Sequence, residues 1–211
     1  MDFTTSDLIA LMAALAEKMR VERDALCALD GVIGDADHGI AMELGFNAAR
    51  DALAALDLSA IEPTALLNTA AKSFLNAVGA SSGPLYATAF MRGAAAVKGK
   101  ATLAADDVIA LFQAMAQGIK DRGKAEIGEK TMVDAWQPAT EAAAEANLAG
   151  KNLAESLGAA LAAAERGAEA TKDMIAAKGR SSRLGERSLG HMDPGAASAV
   201  TVIGAIRKSL S

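Results

Sequence analysis

The stretch Leu29-Asp-Gly-Val-Ile-Gly-Asp-Ala-Asp-His-Gly39 carries three acids, Asp30, Asp35 and Asp37, interleaved with Gly31, Gly34 and Gly39. On a helix, Asp35 and Asp37 would project roughly 200° apart, at about 3.6 residues per turn. On an extended or looped backbone, positions i and i+2 face one side. Glycine is poor inside helices and permits unusual backbone angles, which favours the loop. Three carboxylates on one loop repel each other, and a hard divalent cation that prefers oxygen ligands removes that cost. The same residues also read as a capping turn with solvated acids, so the flanking chain has to decide.

Upstream, Thr5 or Ser6 can cap a helix bearing Leu8, Leu11, Met12, Leu15, Met19, Leu26 and Leu29 at 3-4 spacing, ending near Asp30-Gly31. Downstream, Asp37 can cap a second helix over 38–56 that carries Met42, Phe46, Ala49 and Leu53. The quoted stretch is therefore a corner between two amphipathic helices, and the pattern recurs along the chain. A connection at 57–64 leads to a third helix ending near Ala77. Gly79-Ala-Ser-Ser-Gly-Pro84 precedes a fourth through Leu85, Phe90 and Met91 to about Val97. A fifth spans 106–119. Thr131 and Asp134 have the spacing of a capping box and start a sixth, with Pro138 tolerable in its first turns. An alanine-rich seventh is expected to run to about Ala177. The periodicity then stops until Asp193-Pro194, an N-cap followed by proline at the first helical position, opens an eighth.

Composition agrees. Hydrophobic residues make up 52% of the 211 and aromatics 3%, so the apolar content is largely alanine and leucine, strong helix formers that let helices approach closely. The expected fold is all-α, an eight-helix antiparallel up-and-down barrel in one domain over 1–211. The net charge of -5 argues against a general nucleic-acid surface. Cys27 is the single cysteine and forms no intrachain disulfide. The N-terminus lacks a basic leader, and no apolar run reaches the roughly 18 residues of a membrane span. A cytoplasmic protein with no membrane segment is expected.

With short connections, consecutive helices alternate in direction, so helices 2, 4, 6 and 8 begin at one rim. The unusual loops all precede those four helices: the acid triplet, the Gly79–Pro84 turn, the Gly-Lys-rich 121–130 loop, and the 178–195 segment. Between 178 and 187 that segment holds Lys178, Arg180, Arg183 and Arg187 against Glu186, a local charge of +3. Helix N-termini offer unpaired N–H groups and partial positive charge to anions, and arginine grips phosphate oxygens in a fork. Together these features describe a magnesium–polyphosphate site. Taken singly, Ser82 and Thr131 read as caps, His38 and His191 as local hydrogen-bonders, and Met132 and Trp136 as packing residues.

Four motifs carry a resemblance: 29–39, Gly-x-Ser-Ser-Gly-Pro-Leu at 79–85, Arg-Gly-Lys-Ala-Glu-x-Gly-x-Lys-Thr-Met at 122–132, and Leu-Gly-Glu-Arg-Ser-x-Gly-His-x-Asp-Pro-Gly-Ala at 184–196. In this order and spread over nearly the whole chain, they resemble the nucleotide-binding L subunit of dihydroxyacetone kinase. The resemblance implies an eight-helix barrel whose three aspartates, Asp30, Asp35 and Asp37, hold two Mg2+ ions. It places ADP or ATP against His38, Gly39, Ile40, Ala41, Ser81, Ser82, Gly123, Met132, Arg180, Asp193, Pro194 and Gly195. Arg180 would stabilise charge on the transferred phosphoryl group.

It also implies partners. A separate K subunit would hold dihydroxyacetone, and a phosphohistidine M subunit of the phosphotransferase system would recharge bound ADP; a homodimer is compatible. A kinase of the same type acting on another small ketose, such as erythrulose, or on a carrier-bound fatty acid, and a non-catalytic nucleotide-sensing adaptor are the other readings.

Overall fold

The computed structural model describes residues 2–56, 61–79 and 81–210. Among the described residues, regular structure is almost entirely helical. The helices are α1 (Thr5–Ile33), α2 (His38–Ala54), α3 (Pro63–Ala77), α4 (Ser82–Ala96), α5 (Ala105–Gly123), α6 (Val133–Leu148), α7 (Leu153–Ala170) and α8 (Pro194–Leu210). Two 3₁₀ segments, Thr171–Asp173 and Arg180–Ser188, lie between α7 and α8. Each helix packs on the next in sequence, and α8 closes back against α1, so the up-and-down series forms a ring. Residues 57–60 of the expected connection, and Ala80 in the Gly79–Pro84 turn, lie outside the described residues.

The ring is filled by most of the chain's few aromatics. Phe46, Phe74, Tyr86, Phe90, Phe112 and Trp136 are all buried, with Phe46 edge-on to Phe74 at 5.2 Å and Phe112 beside Trp136 at 5.4 Å. Small residues bring the helices close. A Cβ at Gly39 would fall 2.0 Å from the Arg23 carbonyl oxygen, which is how α2 starts tight against α1. The start of α4 sits equally close to the Val78 carbonyl, where a Cβ on Gly83 would fall 1.9 Å from its oxygen. At the far end from the acid corner, Phe3 and Leu103 exchange backbone hydrogen bonds of 2.8 Å, pinning the N-terminus to the segment before α5. No helix among the described residues is long and apolar enough to cross a membrane.

Several boundaries differ from the sequence expectation, each for a local reason. The cap of α1 is Thr4, in a reciprocal box with Asp7, rather than Thr5 or Ser6. α1 continues through Asp30 and Gly31 to Ile33, so only Asp35 and Asp37 lie on the loop. α5 runs to Gly123, where Lys124 turns left-handed at φ 48°. α7 stops at Ala170 instead of about Ala177. There the Thr171 hydroxyl donates to the Ala168 carbonyl at 2.6 Å and accepts the Asp193 amide at 2.9 Å, tying the chain to the start of α8 and off the α7 axis.

Candidate functional site

Asp30 comes from the last turn of α1 and is buried; Asp35 and Asp37 stand on the turn that follows. Their carboxylates each offer an oxygen within 4.8 Å of the others. The acids divide their work. Asp37 stands at the N-cap position of α2 but makes no capping hydrogen bond, contrary to the sequence expectation. Asp30 does this instead: its Oδ2 accepts the amides of Asp37 at 2.9 Å and His38 at 3.2 Å. An acid at the C-terminal end of one helix thereby satisfies the N-terminus of the next, which offsets its unfavourable place on the α1 dipole. Gly34 leaves room for it, since a Cβ there would lie 2.1 Å from Asp30 Oδ1. Asp35 and Asp37 are left half-exposed, and the guanidinium of Arg180 lies directly against Asp35 and 3.8 Å from Asp37. An all-oxygen donor set that already draws a cation fits Mg2+.

The N-termini of α2, α4, α6 and α8 converge on one cavity of about 390 Å³. Its polar wall includes the three acids, His38, Ser81, Ser82, Arg180 and Asp193; its apolar wall includes Leu85, Ile119, Ala125, Met132 and Pro194. Ala41, Gly123 and Gly195 also face it. Of the residues expected from sequence, Gly39 and Ile40 are not brought to the cavity. Gly39 is buried at the α1–α2 contact, and Ile40 points outward, 48% exposed. Trp136 is fully buried in the ring interior and away from the cavity, whereas Met132 lines it.

His38 is tied within the protein, its Nε2 2.8 Å from the Ser198 hydroxyl, which donates to the Gly195 carbonyl at 2.9 Å. Burial pulls the imidazole below its ordinary range, against an opposing pull from Asp30. Asp193 caps α8 by accepting the Ala196 amide at 2.7 Å. Burial pushes its carboxyl up to about 7, although the Ala196 amide and Lys130 act the other way.

The start of α6 and the loop ahead of it include one residue to which the sequence reading gave no role, Lys130. The Asp134 carboxylate accepts the Gly128 amide at 2.6 Å and the Thr131 amide at 2.7 Å, which is one half of the expected box; the other half is not made, because Thr131 Oγ1 accepts from Val133 instead. Lys130 is 2% exposed, and its ammonium donates to the carbonyls of Thr171 and His191. A lysine in a Gly-Glu-Lys turn reads as solvated, and no local signal distinguishes this one. The basic segment is built from 3₁₀ turns, kinked at Gly185 and anchored by buried Ser188, whose hydroxyl accepts the Ala176 amide at 3.0 Å.

Comparison with known proteins places this geometry. The family model described as DAK2 domain matches residues 32–208. The chain is 37% identical over 201 residues to the PEP-dependent dihydroxyacetone kinase, ADP-binding subunit DhaL, of Escherichia coli (strain K12), covering 94% of this chain and 93% of that one. It is 39% identical over 199 residues to the ADP-binding subunit DhaL of PEP-dependent dihydroxyacetone kinase 2 of Listeria innocua, covering 94% and 90%. The crystal structure of the dihydroxyacetone kinase from C. freundii in complex with AMP-PNP and Mg2+ superposes with a TM-score of 0.74 at 26% identity. That match covers 99% of this chain and 35% of the larger one.

Proposed function

The chain belongs to the DAK2 domain family, and we propose that it is the ADP/ATP-binding subunit of a dihydroxyacetone kinase, handing a phosphoryl group to dihydroxyacetone held on a separate K subunit. The observation that carries this reading is the meeting of four helix N-termini with Asp30, Asp35 and Asp37 at one cavity. The names of the bacterial relatives, ADP-binding subunits of PEP-dependent kinases, support ADP as a resident coenzyme. A phosphorylated M subunit would recharge it. Residues 1–211 act as a single cytoplasmic nucleotide-binding domain in this reading.

Asp35, Asp37 and the remaining oxygen of Asp30 hold Mg2+, two ions by family resemblance, and the metal neutralises phosphate charge when bound. Phosphoryl transfer needs positioning and charge balance more than covalent protein chemistry. Ser81, Ser82 and the starts of α4, α6 and α8 present N–H and hydroxyl donors to the phosphates. Gly123 leaves one wall of the cavity without a side chain, and Leu85, Ile119 and Met132 supply an apolar face for the base. Arg180 turns from the acids toward the transferred group, where its fork stabilises developing charge. Asp193 to Gly195 hold the start of α8 in place, and His38 fixes α2 to α8 through Ser198.

Exposed apolar side chains stand on the segments that meet at this mouth, among them Val32, Ile40, Leu75, Ile127 and Leu189. Exposed apolar side chains near a charged opening suit a protein partner that brings the acceptor to the nucleotide. Reconstitution tests the proposal. With a K-type subunit loaded with dihydroxyacetone, a phosphorylated M subunit should drive dihydroxyacetone phosphate formation, and free ATP should do so weakly. Efficient turnover with free ATP would assign nucleotide exchange instead. Absence of product with either donor would make the chain a nucleotide-sensing adaptor.

A further inference from the structure

We propose that Lys130 is a positioning residue for the nucleotide cavity, a buried cross-brace that fixes the Arg180-bearing segment against the loop ahead of α6. This rests on the nucleotide reading of the cavity. An ammonium has three donors and no acceptor, and burying one is unfavourable unless its donors are used and its charge is balanced. Lys130 meets both conditions. Two donors go to the carbonyls of Thr171, just past α7, and His191, just ahead of α8. Asp134 and Asp173 supply opposing charge, joined by Asp193 once that carboxyl is ionised.

The backbone at Lys130 is left-handed, φ 59°, which is unfavourable for a residue with a Cβ and persists only where the surroundings impose it. The brace is reinforced at three further points. Ala177 donates its amide to the Glu129 carbonyl at 3.1 Å, Gly190 to the Lys172 carbonyl at 2.8 Å, and Asp193 to the Thr171 hydroxyl at 2.9 Å. Both ends of the segment that carries Arg180 are thus fastened beside Lys130. Lys130 also forms part of the cavity wall, but both of its donated hydrogen bonds go to backbone carbonyls, so its effect on the nucleotide is exerted through Arg180 and Asp193.

The test is hydrogen exchange on the intact, nucleotide-free chain, paired with calorimetric titration of ADP in the presence of Mg2+. Wild type should protect the amides of Ala177, Gly190 and Asp193. Lys130→Met keeps the side-chain length but removes donors and charge; it should lose about tenfold or more of that protection and of ADP affinity, as expected from orphaning two carbonyls. Amides within α2 and α3 should be unchanged. Lys130→Arg, which keeps charge and donors, should recover more of both than Lys130→Met, the reverse of what a packing role predicts. Wild-type protection and affinity in Lys130→Met, or no advantage for Lys130→Arg, would overturn the brace. If neither variant folds, the wild-type pattern decides: fast exchange at the three amides rejects the brace and slow exchange upholds it. A wild-type chain that binds no ADP would remove the nucleotide reading while leaving the exchange result intact.

Discussion

Asp193 shows how far a single residue can be read. Its capping role was legible, because aspartate before proline marks a helix start. Its raised titration was not, because the desolvation and the neighbouring charges of Lys130, Asp134 and Asp30 come from other parts of the chain. Burial raises its carboxyl from 3.8 to about 7. The folded chain therefore holds a proton that the unfolded chain releases between those values, so this group's contribution to stability falls as pH rises through the window and is flat above it. Asp193→Asn can still accept the Ala196 amide but does not titrate. Its stability relative to wild type should rise from the acid to the neutral end of the window, measured by urea unfolding without nucleotide. A pH-independent difference would contradict this account.

Helices were legible as amphipathic repeats, but their ends were set by contacts that no local pattern contains. Gly31 lies inside α1, and the acid that caps α2 belongs to the helix before it. Asp30→Ala should therefore destabilise the fold by about 0.5–2 kcal/mol, the range for a lost N-cap. Asp35→Ala, which makes no such bond, should be near neutral; equal losses in urea melts would deny Asp30 this role. A second pair of elements makes a similar point. Pro138 has no N–H to give the Asp134 carbonyl, and α7 approaches that carbonyl so closely that a Cβ on Gly167 would fall 1.9 Å from its oxygen. Gly167→Ala should cost about 1–3 kcal/mol through overpacking. At roughly 2–4 °C per kcal/mol for a chain of this size, calorimetry should register a lowered Tm; an unchanged Tm would show that the pair relaxes freely.

The molecule as a whole is a ring of alternating helices, and that alternation sorts its chemistry. Loops before even-numbered helices gather at one mouth, so residues 35, 82, 131 and 193, distant in sequence, line one cavity. This much followed from counting helices and noting which loops are unusual. The inner fastening of the mouth did not, because Lys130, Thr171 and Ser198 have polar roles that exist only after the ring closes. On the proposed function, the acids at this mouth hold a metal-bound nucleotide. Calorimetric titration of ADP with Mg2+ into wild type, Asp35→Ala and Asp37→Ala tests this. Loss of a ligand should weaken binding by at least the roughly 10–100-fold seen for outer-shell partners, with far-UV circular dichroism unchanged. Wild-type affinity in both variants would mean that these acids do not hold the metal-bound nucleotide.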